Sequence, residues 1–125
     1  MVQQQFKDIF SALRKEIPEI NGMAIVSSDG KVITHDWQLS PIEPDMIGAV
    51  AAAILGLGKK TVKVLSKGDF MHVILESTNG NISVYGAGPR AVLIVGMNKD
   101  ANIGLMNLLA RIATARIAKM LEGAR

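Results

Sequence analysis

Apolar positions recur along the first seventeen residues with the spacing of a helix. Phe6, Ile9, Phe10, Leu13 and Ile17 fall on one face between Val2 and Ile17, with Lys7, Asp8, Arg14, Lys15 and Glu16 outside it. Pro18 ends that pattern, because proline has no N–H to continue a helix. Two short strands follow, Gly22 to Ser27 and Lys31 to Asp36, with the turn pair Asp29-Gly30 between them. Trp37 to Pro44 reads as a connector. Ser40-Pro41-Ile42-Glu43 has the form of a capping box with proline at the first helical position, and Pro44 sets the latest start. A second helix then runs over Asp45–Lys67, ending near Ser66 with Gly68 as its stop.

Three further strands are expected at Phe70 to Glu76, Asn81 to Gly86 and Ala91 to Met97. Asn79-Gly80 marks the first turn between them, and Ala87-Gly88-Pro89-Arg90 the second. The run AVLIVGM is almost wholly apolar, as a strand covered on both faces requires. Asp100 is placed to cap a last helix, Ala101 to Glu122. Its broad apolar face comprises Ile103, Leu105, Leu108, Leu109, Ile112, Ile117, Met120 and Leu121. The order is αββαβββα. Strands joined mainly by hairpins give an antiparallel sheet, and helices must cover both of its faces. The fold class is α+β, in a single domain spanning 1–125.

The middle helix is the most informative segment. At about 100° per residue, Ile47, Val50, Ile54, Leu57, Thr61 and Leu65 gather on one face, which reads as a core stripe. Asp45, Ala49, Ala52, Gly56, Lys59, Lys60, Lys63 and Lys67 lie opposite, on a face whose first half has almost no polar atoms. Ala51, Leu55, Gly58 and Val62 form a third, small and aliphatic row. Glycine inside a helix costs about 1 kcal/mol relative to alanine, and small side chains permit close backbone approach. This helix is therefore expected to pack on more than one side, against its own sheet and against a second chain.

Composition narrows the functional classes. With 125 residues, 49% hydrophobic and 20% charged, the chain can bury a real core without staples. The absence of cysteine excludes disulfides, thiol catalysis and thiolate metal sites, and fits a reducing, cytoplasmic setting. The N-terminus MVQQQFKDIF lacks signal-peptide character, and Val2 excludes myristoylation. The apolar run Met46 to Leu57 is shorter than the roughly 20 residues of a membrane span. Net charge is +3, but aromatic residues are only 4%, too few to stack single-stranded nucleic acid. No nucleic-acid partner is expected.

Several motifs tempt and fail. Gly58-Lys59-Lys60-Thr61 approaches a phosphate loop, but Lys60 occupies the Ser/Thr slot and the motif ends a helix instead of starting one. Gly86-Ala87-Gly88-Pro89-Arg90-Ala91 matches a dinucleotide fingerprint in form, yet a strand follows it where a helix is needed. His35 and Asp36 are adjacent in a strand and point to opposite faces, so they make no metal pair. His72 interrupts an apolar strand and reads as a packed histidine near an interface. No catalytic triad, nucleophile elbow or carboxylate pair is evident, and no cofactor is expected. Lys59, Lys60, Lys63 and Lys67 are the one sizeable same-sign cluster. They complement the helix dipole or dock an acidic partner. The seven methionines read as core filler.

The chain resembles the Roadblock family of dynein light chains and prokaryotic GTPase regulators. The resemblance is carried in register by Ile17-Pro18-Glu19-Ile20-Asn21-Gly22, Asp29-Gly30, the run from Ala51 to Gly58, Gly86 to Leu93, and Asp100 to Leu105. It implies strand order 2-1-5-4-3, with the middle helix on one face and the terminal helices on the other. It also implies a homodimer in which third strands and middle helices pair across a two-fold axis. Candidate dimer contacts are then Ala51, Leu55, Gly58, Val62, Phe70, His72 and Ile74. Members of the family bind small Ras-like GTPases as activators or scaffolds, or act as assembly adaptors. Candidate partner contacts on the paired helices are Asp45, Ala49, Ala52, Gly56, Lys59, Lys60 and Lys63. The expected function is thus a non-catalytic, homodimeric module that binds or regulates a small GTPase. The alternatives are a scaffold without effect on nucleotide turnover and a small-molecule sensor.

Overall fold

The computed structural model describes residues 2–37 and 42–123. Its elements are α1 (Val2–Glu16), β1 (Ile20–Ser27), β2 (Val32–Trp37), α2 (Pro44–Val64), β3 (His72–Ser77), β4 (Gly80–Ala87), β5 (Ala91–Met97) and α3 (Ile103–Gly123). The strands form one antiparallel sheet of order β2-β1-β5-β4-β3. The predicted element order and strand order both hold. Every residue of β5 is buried, as its unbroken apolar run requires.

Alternation along the strands divides the core in two. On one face Met23, Ile25, Tyr85, Leu93, Val95 and Met97 meet Phe6, Phe10 and Leu13 of α1 and Met106, Ala110 and Ile117 of α3. On the other, Ala24, Val26, Val84, Val92 and Ile94 meet Ile47, Ala51 and Leu55 of α2. All five residues expected to form the α1 apolar face, Phe6, Ile9, Phe10, Leu13 and Ile17, are buried.

The local details depart from expectation in instructive ways. The β1–β2 tip is a three-residue loop: Ser27 N donates to Lys31 O, and Gly30 takes φ +96°. That geometry is the left-handed position that ends a three-residue hairpin loop. The β3–β4 turn lies one residue earlier than Asn79-Gly80 suggests. Ser77 pairs with Gly80, so Thr78 and Asn79 make the tip. Gly80 is needed because a Cβ there would meet the Met97 carbonyl oxygen at 2.6 Å. Trp37 closes β2 opposite Gly22 instead of starting a connector. Its indole occupies the space that side chains at Gly22 and Gly96 would fill.

Helix α2 starts at Pro44, with Glu43 as an N-cap that makes no side-chain capping bond. The Ser40-Pro41 part of the expected capping box lies outside the described residues. At the other end Ser66 N donates to Lys63 O and Lys67 N to Val62 O, a Schellman closure. The left-handed position in it is Ser66, at φ +60°, where glycine is the usual occupant. Asp100 is not the cap of α3. Asn102 is, its Oδ1 accepting from Leu105 N at 3.0 Å.

The largest departure is rotational. The face α2 turns to the sheet is Ile47, Gly48, Ala51 and Leu55; of the expected stripe only Ile47 is buried in it, with Ile54 at its margin. Val50 is 42% exposed, Leu57 70% and Leu65 63%. The helix is turned by roughly one residue step of 100° because its small residues are the ones that fit. A Cβ on Gly48 would collide with the Gly30 carbonyl, and a Cβ on Gly58 with the Phe70 ring. In α3 likewise the inner face is Met106, Ala110, Ala113, Thr114 and Ile117. Leu108 and Ile112, expected in its core face, stand 60% and 59% exposed.

This geometry sets three expectations for stability. Gly48→Ala should lower unfolding free energy by about 1–3 kcal/mol, the usual cost of overpacking, despite its gain in helix propensity. Gly56→Ala, on the same helix with nothing near its Cβ position, should instead raise stability by about 1 kcal/mol. Urea denaturation of both variants checks the opposite signs. Ser66→Gly should stabilise by about 1 kcal/mol by relieving the left-handed strain. A lower midpoint for that variant would show that Ser66 is held there by other interactions.

Candidate interaction surface

The sheet has two edges, and β3 is the more open one. It pairs with β4 alone, and α3 packs on β4 and β5. Alternation puts Val73 and Leu75 of β3 on the α2 face and His72, Ile74 and Glu76 on the other. Val73 joins the α2-side core, whereas Leu75 is 47% exposed. His72 and Ile74 are half-buried. The His72 ring lies 5.5 Å from the Tyr85 ring, its cross-strand neighbour, at a 42° tilt. The Tyr85 hydroxyl donates to Asn107 Oδ1 at 2.7 Å. Burial pushes the Tyr85 phenol above its usual range, so it remains a protonated donor.

The β2 edge is better guarded. Gln3 of α1 reaches across to donate from Nε2 to the Ile33 carbonyl at 3.0 Å. Arg14 of α1 forms an ion pair with Asp36. Charged groups and occupied backbone acceptors discourage strand addition at an edge, and among the described residues β3 has neither of these contacts from the helices.

Above the α2 face of the sheet, α2 presents an aliphatic row to solvent. Met46 is 59% exposed, Val50 42%, Leu57 70% and Val64 68%. These are not scattered residues but one side of a single helix. Large apolar patches of this kind mark interaction sites. Beside this row run the exposed Asp45, Ala49, Gly56, Lys59, Lys60 and Lys63. Helix α2 thus carries an aliphatic row and a small, basic row side by side.

The candidate residues sort clearly against this geometry. Asp45, Ala49, Gly56, Lys59, Lys60 and Lys63 are all on the surface, and Ala52 is half-buried beside the β1–β2 turn at Gly30. Of the candidate dimer contacts, Ala51 and Leu55 are spent on the chain's own sheet, at 0% and 4% exposure. They offer no surface to a second chain. Gly58 is covered by the Phe70 ring, and Phe70 itself packs into the α2-side core ahead of the strand it was expected to start. Val62, His72 and Ile74 remain half-exposed and available. The apolar surface that the sequence reading missed is Met46, Val50, Leu57, Val64, Met71 and Leu75. Its signal was a count: α2 carries more large aliphatics than one face of a helix can bury.

Chemical machinery is not evident around this surface. Among the described residues no group of three or more His, Asp and Glu could hold a metal ion, and no helix is long and apolar enough to cross a membrane. Gly58-Lys59-Lys60-Thr61 lies in the second half of α2, where backbone N–H groups are used within the helix and none is free for a phosphate.

No curated protein sequence matches the chain significantly. Its fold is shared with solved structures of low sequence identity. An MglB structure with a tetrameric arrangement is 18% identical, with a TM-score of 0.90 over 100% of this chain and 93% of that one. Myxococcus xanthus MglB is 18% identical, with a TM-score of 0.85 over 95% and 96%. A Roadblock/LC7 domain from Streptomyces avermitilis is 22% identical, with a TM-score of 0.81 over 90% and 93%. The Roadblock/LC7 domain model matches residues 7–96, a stretch from α1 through β5 that includes the open strand edge and the aliphatic helix. The chain belongs to the Roadblock/LC7 domain family.

Proposed function

We propose that this protein is a non-catalytic, homodimeric interaction module that binds a small Ras-like GTPase and regulates or scaffolds it. The observation that carries this reading is the exposed aliphatic row of α2, with Leu57 at 70% and Val64 at 68% exposure, together with the unpaired edge of β3. A monomer gains nothing from leaving these in water. Burial of apolar surface yields about 25 cal/mol per Å², and an open, apolar strand edge invites pairing. A second copy satisfies both at once. Family membership supports the GTPase as partner, and the tetrameric arrangement of one related MglB structure supports self-association.

The mechanism is complementarity between rigid surfaces. Helix α2 is fixed on its sheet at Gly48 and Gly58, so its exposed side chains are held in a defined array. Asp45, Ala49, Gly56, Lys59, Lys60 and Lys63 form the partner-facing row. Small residues admit close approach, and the lysines steer an acidic surface toward it. Such a platform holds a GTPase switch segment in one conformation through differential affinity for its two states. A scaffold without regulatory effect would show the same binding with no change in GTP turnover.

Light scattering should give about twice the 13.4 kDa chain mass, and Leu57→Glu should shift that mass toward the monomer. A monomeric wild type would remove the homodimer from this reading. Replacing Lys59, Lys60 and Lys63 together by Glu should weaken capture of Ras-like GTPases from the source organism. The wild-type interaction should also weaken with salt. Melting temperature should fall modestly, by several degrees, because helix-end charges are worth about 0.3–1 kcal/mol each. Equal capture by both proteins at two salt concentrations would leave the lysines with no binding role. Measuring GTP hydrolysis by the captured GTPase then separates regulator from scaffold.

A further inference from the structure

A cleft of about 980 Å³ opens beside the start of β3. Lys59 and Lys63 line it from the α2 side, and Arg111 lines it from the α3 side. The two helices cover opposite faces of the sheet, so these cations come from separate layers of the fold. Asp69 is the one carboxylate in the lining. Three cations against one carboxylate leave two positive charges, with His72 in addition. All three cations are exposed, and among the described residues none of them is in an ion pair.

Helix stabilisation explains only part of this set. A cation in the last turn of a helix offsets the partial negative charge of its C-terminus. Lys63 is in the last turn of α2, but Lys59 lies before it. Arg111 stands near the middle of α3, whose last turn carries no basic residue. The dipole therefore gives no reason for Lys59 and Arg111 to line one cavity.

The hydroxyl donors of the cleft are already committed. The Tyr85 hydroxyl donates to Asn107 Oδ1 at 2.7 Å, and the Thr114 hydroxyl to the Ala110 carbonyl at 2.8 Å. Burial holds Tyr85 neutral, so it adds no negative charge. The side-chain donors left for a ligand are two ammonium groups, one guanidinium and the histidine ring. Such a lining recognises a ligand by its negative charge. Guanidinium and ammonium groups both suit phosphate oxygens, the first as a planar fork and the second as a point charge. Cations on two walls suit an anion long enough to reach both.

We propose that this cleft binds a small oligophosphate, with Lys59 and Lys63 on one wall and Arg111 on the other holding successive phosphate groups. The site uses side chains, and not the backbone of Gly58-Lys59-Lys60-Thr61, whose N–H groups are spent within α2. Lys59 and Lys63 also belong to the proposed partner-facing row. Arg111 does not, so it separates oligophosphate binding from GTPase docking.

Isothermal titration of the full chain with orthophosphate, pyrophosphate and tripolyphosphate tests the site, with citrate as the polycarboxylate control. The expected result is saturable binding of one tripolyphosphate per chain, affinity rising with phosphate number, and weaker binding of citrate. Arg111→Gln and Lys59→Gln should each weaken tripolyphosphate binding by about tenfold, the worth of one charge-assisted hydrogen bond. Lys119→Gln, on the same helix as Arg111 but outside the lining, should bind as wild type does. GTPase capture by Arg111→Gln should equal that of wild type, so failure of the partner reading and failure of this site are read separately. Circular dichroism checks the folding of each variant, and Arg111 and Lys59 lie on different helices, so either one can carry the test. Absence of saturable binding by every phosphate overturns the site. A loss in Lys119→Gln equal to that in Arg111→Gln also overturns it, as diffuse attraction to a basic surface. Citrate binding as tight as that of tripolyphosphate overturns oligophosphate as the ligand.

Discussion

The close seating of α2 on the sheet is the constraint on which the rest of this structure depends. Gly48 leaves room for the Gly30 carbonyl at the β1–β2 tip, Ala51 has no exposed surface, and Gly58 accepts the Phe70 ring. Three small residues along one helix face bring its axis near the strands. Dispersion attraction falls steeply with separation, so close approach recovers contact that large side chains would otherwise have to supply. The same choice fixes the helix rotation. With the small residues inward, the large aliphatics have no place to go but outward.

That rotation gives a structural helix an apolar outer face. A helix packed through leucines and valines would bury them and show lysine and glutamate to water. Here Met46, Val50, Leu57 and Val64 face solvent next to a basic row, and the helix is rigid because its inner contacts are tight. Helix α3 repeats the pattern, with Ala110, Ala113 and Thr114 inside and Leu108 and Ile112 outside. On both helices small residues share the inner face with a few large ones, Ile47 and Leu55 in α2 and Met106 and Ile117 in α3, while other large aliphatics face outward.

The two sheet edges are treated differently. At β2 a glutamine and an ion pair from α1 occupy the rim. At β3 the strand pairs with β4 alone, and its second half, Leu75, Glu76 and Ser77, is exposed. An edge left in this state is a liability in a monomer and a seam in a dimer. The proposed interaction surfaces, the strand edge and the α2 rows, lie at and above one end of the sheet, so joining two copies would bring both pairs together.

The amino-acid sequence by itself determined the element order, the antiparallel sheet and the buried central strand. These rest on local signals: period-3.6 spacing in α1, Pro18 as a stop, glycine turns, and the unbroken apolar run of β5. It also marked α2 as a helix that packs on more than one side, one face of it on the sheet. Only the tertiary structure decided which face that was. A helical wheel weighs side chains by hydrophobicity and assigns Val50, Leu57 and Leu65 to the core. The sheet selects by shape and takes Gly48, Ala51 and Leu55 instead. Likewise the left-handed closing position of α2 fell on Ser66 and not Gly68, and the cap of α3 on Asn102 and not Asp100. Both depend on where the chain must turn to meet the next element, which residue identity does not encode. Spacing says which side chains share a face; contact with a neighbour of fixed shape says which face is inside.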